Sequence, residues 1–442
     1  MGSDYVKACS VASKQLFSSD DLVVEILYRV EQKTLIRCKF VCKNWKRLIS
    51  DQSFMKRFIT RLKTLPPLVS GLYYGRKILD PLGAYTRWTD ADVKFLEYPY
   101  DSNLNEKSVD TSLNFLQKKS SFIAVSSHQG FVLCAEKPEK SKKQIGYNDL
   151  HQYHYIICNP LTKQWVQLPQ PHHGHHIKRV HLFCYDKDES NGWETEFKVV
   201  SFLPIRYGEN DSNVDIYTSE TGEWKLTSVP FPIQTCNVLF DGSVYFKTDR
   251  KVYAYDLKEE YMRCLGRIPH EAHGDDHDLL GLSAVSIYYA AGDGSEFRVW
   301  ILYDGIGWAL QHKMNYGSLH CQLPTDRFEI SYLGPYKFFG FRLEPLAFHP
   351  INHNVIFVNL RAFGNYDHLM TILYHKDSGK VQTIDDLKLC NSTTVIPYSL
   401  PAWVPSLSTT LKSCLVRRKM PPWKVLSRKV GTLWCSVSSR KC

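Results

Sequence analysis

The first sixty residues place apolar side chains at helical spacing. Leu22 and Ile26 are four positions apart, and Val23 and Leu27 repeat that spacing one residue further on. Two overlapping stripes of this kind predict a helix with a broad apolar face. Ser18 stands where a helix N-cap is expected, so the helix is predicted to begin at this residue.

Two more short helices are predicted directly after the first. One covers residues 34–39 with Leu35 and Ile36 facing inward, and another runs from about 40 to 49. Asp51 is placed to cap a further turn. Three short helices enclose little interior, and this segment has more large apolar side chains than such an interior can hold. Part of the set is therefore predicted to face a partner or a neighbouring domain.

From about Leu68 onward the pattern changes to short apolar runs separated by turn residues. Each unit is a hydrophobic strand, a polar turn and a second strand with an aromatic or apolar anchor, which is typical of an antiparallel hairpin. Related units recur at residues 153–169, 214–225, 244–257, 299–308 and 373–381. Recurring hairpins without helices between them predict a β-propeller or an open stack of sheets, with an ordinary antiparallel β domain as the alternative.

The predicted fold class is therefore α+β multidomain, with a small N-terminal three-helix module followed by an all-β, propeller-like domain. Pro66-Pro67 is the expected hinge between the two. The predicted divisions are an N-terminal extension 1–15, the helical module 16–60, a linker 61–70, the β domain 71–405 and a basic tail 406–442.

The net charge of +10 on this chain of 442 residues is concentrated at its end. Residues 411–442 contain nine Lys and Arg side chains and no Asp or Glu, so the preceding chain is nearly neutral. The overall basicity is therefore no ground for predicting nucleic-acid binding by the folded body. The tail has three interpretations: a nuclear address, a contact to nucleic acid or an acidic partner, or a solvated extension.

The cysteines and the N-terminus favour a location in the nucleus or the cytoplasm. Thirteen cysteines are scattered without a CxxC pair, which is typical of reduced thiols. The first residues lack the apolar core of a signal peptide, and no segment has the apolar length of a membrane span, so no membrane contact is predicted.

Two histidine-rich stretches are candidate metal ligands. His172-His173-Gly174-His175-His176 lies beside Pro171 in an expected loop, and a loop without second-shell partners offers no fixed geometry, so a solvated loop is favoured. The stretch 270–278 has a richer set of donors and is kept as a candidate for a metal or for a polar contact with a target. P-loop, GxSxG and HExxH motifs are absent from the sequence, so no catalytic residue, cofactor or metal is predicted.

The N-terminal segment, at about residues 18–58, resembles an F-box. The residues that carry this resemblance are Glu25-Ile26-Leu27, Leu35-Ile36-Arg37, Val41-Cys42-Lys43-Asn44-Trp45 and Leu48-Ile49-Ser50-Asp51 with Phe54. The family usually has Leu-Pro where this chain has Ser18-Ser19, and often a second Leu-Pro where it has Val30-Glu31. Proline presets the start of a helix, so the ends of the first helix are expected to be looser and adaptor binding weaker than usual.

The β region, at about residues 120–400, resembles the F-box-associated, kelch-like domain of plant F-box proteins. The matching residues are 129–134 (Gln-Gly-Phe-Val-Leu-Cys), Asn159-Pro160 with Thr162 and Trp165, 241–246 (Asp-Gly-Ser-Val-Tyr-Phe) and 347–350 (Ala-Phe-His-Pro). In that family the domain selects a target, and the matching positions are mostly structural.

Together these resemblances imply a non-catalytic substrate-recognition subunit of an SCF-type cullin–RING ubiquitin ligase. The helical module is expected to dock on a Skp-type adaptor, and through it a cullin, while the β domain holds an unknown target protein. The alternative is a propeller that binds RNA or a small ligand outside a ligase, with a tail that contacts nucleic acid. A copper oxidase is a further alternative, but it would need a constellation of His, Tyr and Cys ligands that the sequence does not display. The residues expected to form the helical core and the adaptor-binding face are Leu22, Ile26, Leu27, Leu35, Val41, Cys42, Trp45, Leu48 and Ile49.

Overall fold

The fold is seen in a computed structural model that describes most of the helical module and the β domain. The described residues are 20–65, 69–75, 93–97, 112–116, 122–136, 153–175, 180–186, 194–203, 211–229, 235–240, 242–248, 251–257, 259, 261–269, 278–292, 296–303, 305–323, 330–333, 336–339, 341–362, 368–384, 395–401 and 406–407. The predictions for Ser18, the Pro66-Pro67 hinge, the stretch 270–277 and the basic tail beyond Leu407 lie outside them.

From Asp20 onward, where the described residues begin, the N-terminal module has four helices: α1 (Asp20–Arg29), α2 (Gln32–Cys38), α3 (Lys43–Ser50) and α4 (Gln52–Lys63). The sequence predicted three helices and one further turn, and the turn is in fact the 12-residue helix α4. The Asp51 side chain caps this helix by accepting the backbone N–H of Phe54 at 2.9 Å. Phe58 and Leu62 continue the stripe that Phe54 begins, and all three are buried, so tertiary packing extends the helix.

The described residues after Lys63 lie mainly in antiparallel sheets, and the first three blades are consecutive in the sequence. Blade 1 contains β3 (Phe122–His128), β4 (Phe131–Glu136), β5 (His154–Asn159) and β6 (Gln164–Gln167). Blade 2 contains β7 (Val180–Asp186), β8 (Glu194–Phe202), β9 (Ser212–Thr218) and β10 (Glu223–Val229). Blade 3 contains β11 (Thr235–Phe240), β12 (Ser243–Thr248), β13 (Lys251–Asp256) and β14 (Met262–Arg267).

Three more blades follow, and the last of them joins the two ends of the β domain. Blade 4 contains β15 (Leu279–Ser283), β16 (Ser286–Gly292), β17 (Glu296–Tyr303) and β18 (Gly307–Asn315). The short helix α5 (Tyr316–His320) and the hairpin β19 (Ile330–Leu333) and β20 (Tyr336–Phe339) come next. Blade 5 contains β21 (Phe341–Phe348), β22 (Val355–Ala362), β23 (His368–His375) and β24 (Val381–Ile384). Blade 6 contains β25 (Val395–Leu400), β1 (Val69–Gly75) and β2 (Val93–Glu97).

The six blades close into a ring. The first strand of each blade contacts the first strand of the next, in the order β3, β7, β11, β15, β21, β25 and back to β3. Across the closing interface the Tyr398 hydroxyl donates to the carbonyl oxygen of Gly130 at 3.3 Å, and Ser127 Oγ donates to the carbonyl oxygen of Pro397. The β domain is therefore a six-bladed propeller, which confirms the predicted fold class.

The propeller has a separate hydrophobic core between each pair of neighbouring blades. For example, Phe131 of blade 1 and Phe197 of blade 2 share one cluster, and Val299 of blade 4 and Val358 of blade 5 share another. Clusters of the same kind lie between blades 2 and 3, 3 and 4, 5 and 6, and 6 and 1. Apolar residues on both faces of a blade are thereby removed from water, which stabilises the ring.

The predicted hairpins form as the turn residues indicate. Gly222 adopts a positive φ of 75° between β9 and β10, and Gly379 one of 65° between β23 and β24. Between β3 and β4, Gln129 and Gly130 both have positive φ, which matches the twist of a two-residue hairpin. Asn159 accepts the backbone N–H groups of Leu161 and Thr162 and so holds the turn between β5 and β6.

The domain boundaries differ slightly from those predicted. Helix α4 continues to Lys63, inside the predicted linker 61–70, and β1 begins at Val69. The strand β26 (Ser406–Leu407) pairs in parallel with β8 of blade 2, so sheet structure continues past the boundary predicted at 405. Among the described residues, no helix combines the length and the apolar character that crossing a bilayer requires.

Candidate functional site

The nine side chains predicted for the core and the adaptor-binding face divide by burial. Those enclosed in the helical module are Leu27, Leu35, Leu48 and Ile49. Those exposed on its surface are Leu22, Ile26, Val41 and Cys42. Trp45 is half-buried against the same core. Burial therefore separates residues that the sequence placed in one set.

Five large apolar side chains of the helical module remain exposed, and we call this set the docking face. Its members are Leu22, Ile26, Ile36, Phe40 and Val41. Phe40 is 82% exposed and Ile26 is 48% exposed. Ile36 was predicted to face inward, and this is wrong, because on the short helix α2 the adjacent Leu35 takes the buried position. Phe40 was expected in the third helix, but it lies in the turn before α3.

Cys42 acts at the start of α3 rather than in the core. Its Sγ accepts the backbone N–H of Trp45 at 3.4 Å, in the position of an N-cap. The thiol is exposed. Of the two places predicted for this set, the core and the adaptor-binding face, Cys42 is outside the core, because its backbone is extended and turns the chain from Val41 into α3.

Asp20 connects the beginning of α1 to α3. Its carboxylate accepts a hydrogen bond from Asn44 Nδ2 at 2.8 Å and one from Arg47 Nη2 at 2.5 Å. These two donors lower the pKa of Asp20, with the Asn44 contact as the larger cause. The acidic side chain also lies in the first turn of α1, where the helix dipole favours negative charge.

Arg61 of α4 binds the end of α1. Its guanidinium donates to the carbonyl oxygens of Tyr28 at 2.7 Å, Arg29 at 3.3 Å and Val30 at 3.5 Å. It also lies 5.6 Å from the centre of the Tyr28 ring, at cation–π distance. Carbonyl groups at a helix C-terminus have no partner within the helix, so Arg61 satisfies groups that would otherwise need water. Helix α1, which carries Leu22 and Ile26 of the docking face, is thus held at both of its ends. The sequence had predicted that these ends would be loose.

The propeller has two unlike faces, because the strands of each blade alternate in direction. One end, which we call the tight-turn face, carries the connections between the first and second strands and between the third and fourth strands of each blade. Examples are residues 129–130, 284–285 and 305–306. The other end, the long-loop face, is where the second strand of a blade ends and the third begins, as at Glu136 and His154, and where one blade ends and the next begins, as at Arg267 and Leu279.

The helical module is attached at the tight-turn face. Val69, the first residue of β1, pairs with Leu400, the last residue of β25. Leu400 lies beside Gly130, in the tight turn of blade 1, since a Cβ placed on that glycine would approach Leu400 Cδ1 to 3.0 Å. The long-loop face is therefore the end of the propeller opposite the attachment point.

His175 lies in the core and not in a solvated loop. Its Nδ1 is 3.1 Å from the Tyr155 hydroxyl and its Nε2 is 3.1 Å from Asp215 Oδ2. The carboxylate only accepts, so Nε2 donates to it. His173 is exposed, with its Nδ1 3.6 Å from the same Asp215 oxygen. The solvated-loop prediction fails at His175 because these two partners, on β5 and β9, are brought to it by the fold.

Metal binding finds no support in the described part of the chain. There, His, Cys, Asp and Glu side chains form no group of three or more that is placed to hold a metal ion. His175 is instead enclosed with Tyr155, Tyr217 and Trp224. Trp224 also donates its indole N–H to the carbonyl oxygen of Pro169 at 2.8 Å, which fixes the connection between blades 1 and 2.

Comparison with known proteins agrees with this architecture. A family model for the F-box domain matches residues 19–57, and one described as "F-box protein At3g26010-like, beta-propeller" matches residues 103–377. F-box protein At3g26010 of Arabidopsis thaliana is 23% identical over 367 residues, which cover 78% of this chain and 74% of that protein. F-box protein At2g38590 of the same plant is 22% identical over 67% of this chain and 73% of that protein. Neither family model names an enzyme.

Solved structures share only a distant likeness with the chain. YjhT covers 73% of this chain and 99% of its own, with 11% identity and a TM-score of 0.32. The N-terminal domain of Nup159 covers 62% of this chain and 64% of its own, with 12% identity and a TM-score of 0.31. Scores this low support no conclusion about function.

Proposed function

Because this chain belongs to the family of F-box proteins with an At3g26010-like β-propeller, we propose that it is the substrate-recognition subunit of an SCF-type cullin–RING ubiquitin ligase. The helical module docks on a Skp-type adaptor, which connects it to a cullin. The propeller holds a target protein. The subunit has no chemistry of its own, and it accelerates ubiquitin transfer by keeping the target close to the enzyme that carries ubiquitin.

The observation that supports adaptor docking most directly is the exposed docking face. Five large apolar side chains remain in contact with water although the module has a full core of its own. Burying each of them against a partner is worth about 1 to 2 kcal/mol at 25 cal/mol per Å² of apolar surface. Phe40, as an exposed aromatic, is the expected energetic centre of the contact.

The target binds on the long-loop face in this proposal. The helical module enters the ring at the tight-turn face, where Val69 pairs with Leu400. A target on the opposite face leaves the adaptor unobstructed. Binding residues are found preferentially on loops held by a rigid scaffold, and the strand ends that are farthest apart in the sequence, such as Glu136 and His154, lie on this face. A kelch-type repeat and a location in the nucleus or the cytoplasm stay predictions within the same proposal.

Adaptor binding is tested by co-purification with a double variant of the docking face. Ile26→Asp with Phe40→Asp places two charges on the surface, and we expect retention of a plant Skp-type adaptor to fall more than tenfold. Ile26 and Phe40 are both exposed, so the substitutions leave the helical core unchanged. Thermal melting of the variant checks this directly.

The matched control is Leu226→Asp, which changes an apolar side chain on β10 of blade 2 that is about as exposed as Ile26. It is expected to retain the adaptor fully. Equal adaptor retention by the folded double variant and the control would overturn the docking proposal, whereas loss in both would indicate a general effect of added charge.

A further inference from the structure

A lysine on the tight-turn face of blade 5 is buried without a countercharge. Lys376 follows β23, in the connection between the third and fourth strands, and is 7% exposed. Burial lowers the pKa of Lys376 to about 8, so its amine is mostly protonated at pH 7. Among the described residues no carboxylate lies within ion-pair distance of this ammonium group, and that of the adjacent Asp377 accepts the N–H of Ser378 at 2.7 Å instead. Buried charges in proteins are normally paired, so Lys376 is a candidate for pairing with a group from another molecule.

The contacts that Lys376 does make are weak ones for a charged group. Its Nζ donates to Gln311 Oε1 at 2.6 Å and lies 4.8 Å from the centre of the Tyr288 ring. Gln311 is exposed and lies at the bulge of β18, where a side chain leaves the regular alternation of a strand. Because an exposed side chain rotates readily, an anion can displace the Gln311 amide and take its place on the ammonium group. A carboxylate there makes the stronger, charge-assisted hydrogen bond.

The groups around Lys376 add no second charge. His312 Nε2 lies 2.8 Å from the Tyr374 hydroxyl. Burial and, to a smaller degree, the charge of Lys376 lower the pKa of His312, so its ring is neutral at pH 7. Burial raises the pKa of Tyr288, whose hydroxyl therefore stays protonated. One positive charge among neutral groups suits a single carboxylate better than a phosphate dianion, which is usually bound by several cationic donors.

Three exposed apolar side chains lie on the same face in blade 4, and we call them the tip patch: Val285, Tyr303 and Ile306. Ile306 is 82% exposed and Val285 is 77% exposed, although polar residues dominate hairpin tips. Val285 is in the turn between β15 and β16, and the other two are at the turn between β17 and β18. Since β16 pairs with β17, these two turns are separated by about 10 Å.

The blade 5 connection at residues 349–354 holds the tip patch and Lys376 in a fixed relation. The N–H of Ala284, in the turn that carries part of the tip patch, donates to the carbonyl oxygen of Pro350 at 2.8 Å. The N–H of Lys376 donates to the carbonyl oxygen of Asn354 at 2.7 Å. The apolar side chains and the buried charge therefore belong to one surface.

A short segment of extended chain is long enough to reach both features. Val285 stands three residues before Tyr288, and at about 3.3 Å per extended residue the two are about 10 Å apart. The Tyr288 ring is in turn the aromatic contact of Lys376. Three or four extended residues bridge a distance of this size.

We propose that Lys376 and the tip patch bind a protein segment in which a carboxylate side chain stands three or four residues from a large apolar side chain. The carboxylate replaces Gln311 on the ammonium group, and the apolar side chain packs on Val285 and Ile306. This surface is on the face to which the helical module is attached, opposite the face proposed for the target. It is therefore a second contact, beyond the proposed function.

The test measures the binding of defined peptides to the full chain by fluorescence polarisation. One synthetic peptide has a single Glu, with Leu and Phe three and four positions before and after it, and matched peptides have Gln or phosphoserine in place of the Glu. The Glu peptide should bind at least about tenfold more tightly than the Gln peptide, which corresponds to about 1.4 kcal/mol. Equal affinities, or no measurable binding of the Glu peptide, would overturn the proposal. Tighter binding of the phosphoserine peptide would overturn the assignment to a carboxylate.

Two lysine variants locate the charge that the Glu peptide recognises. Lys376→Met removes the charge but keeps an unbranched apolar chain against Tyr288, and it should abolish the difference between the Glu and Gln peptides. Lys313→Met is the matched control, because Lys313 is on the neighbouring β18 and already has a countercharge in Glu296 at 2.8 Å. The tenfold difference should persist in this control. Its persistence in Lys376→Met, shown to be folded by thermal melting, or its loss in both variants, contradicts the proposal.

A neutral double variant tests the tip patch separately. Val285→Ser with Ile306→Ser should weaken both peptides about tenfold and leave their ratio unchanged, because only the apolar contact is removed. Unchanged affinities would overturn the part assigned to the tip patch. Ile26→Asp with Phe40→Asp, the double variant of the docking face, should bind the Glu peptide as the unmodified chain does. Peptide binding and adaptor binding therefore fail independently of each other.

Discussion

The guanidinium of Arg61 donates a hydrogen bond of 2.7 Å to the carbonyl oxygen of Tyr28, and this contact holds the C-terminus of α1 to α4. Helix α1 carries Leu22 and Ile26 of the docking face. The position of the docking face therefore depends on a side chain that is not part of it.

Replacement of Arg61 by Ala should destabilise the helical module by about 1.5 to 3 kcal/mol, the usual worth of hydrogen bonds made by a charged donor. Urea denaturation followed by circular dichroism measures the loss. Arg57→Ala is the matched control, because Arg57 lies 5.2 Å from the centre of the same Tyr28 ring and should contribute less than about 1 kcal/mol. Equal effects of the two variants would show that the backbone contacts of Arg61 are unimportant.

Leu27 and Ile26 are adjacent, but substitutions at the two positions should act on different properties. Leu27 is fully buried, so Leu27→Ala should lower the free energy of unfolding by about 2 to 5 kcal/mol. Ile26→Ala should change it by less than about 0.5 kcal/mol while weakening adaptor binding. Chemical denaturation and adaptor titration on both variants distinguish the two effects, and a large stability loss for Ile26→Ala would contradict the assignment.

The pairing of His175 with Asp215 should be a large contribution to the stability of blades 1 and 2. His175→Ala leaves a buried carboxylate without its imidazole partner, which should cost about 3 kcal/mol and lower Tm by several degrees. His173→Ala, at an exposed ring, should shift Tm little. Calorimetry of the two variants provides the comparison, and equal Tm values would count against the buried pair.

Stability of the propeller should fall in mild acid because of three histidines. Burial lowers the pKa of each of His128, His181 and His349 to about 4, below the ordinary value of about 6.5. The unfolded chain binds more protons between these values, so this stabilisation is complete above about pH 6.5 and is lost as the pH falls towards 4. His128 Nδ1 accepts the Cys184 N–H at 3.0 Å, which requires the unprotonated nitrogen.

Urea midpoints measured at pH 7.5 and pH 5 by tryptophan fluorescence should therefore differ, with the lower value at pH 5. Each histidine contributes up to about 3 kcal/mol over the full range, at 1.36 kcal/mol per pKa unit. His181→Phe should reduce the pH dependence by roughly a third, since it removes one of three such groups. A midpoint independent of pH in the unmodified protein would show that these histidines are not held neutral.

Local sequence signals were sufficient to predict the hairpins. The turn at Gly222 needs a positive φ that glycine adopts readily, and the flanking strands alternate apolar and polar residues, so each unit is specified within about a dozen positions. The helix caps are equally local, since Asp51 and Phe54 are three residues apart.

Ring closure had no such local signal. Leu72 pairs with Pro397, more than three hundred positions later, and the local sequence at neither residue predicts this pairing. The same holds for His175, whose partner Asp215 lies forty positions away on β9. The local sequence of this histidine-rich segment predicts a solvated loop. The burial of His175 depends on a carboxylate and a tyrosine that only the folded chain places beside it.

The kind of elements, their order and the surplus of apolar side chains in the first sixty residues can be read from the sequence, because periodicity and turn chemistry act between near neighbours. Which of those side chains are covered depends on how the helices pack. Leu35 and Ile36 are adjacent and equally apolar, yet only Leu35 is enclosed, because burial depends on the packing of α2 against α3 and not on hydrophobicity alone.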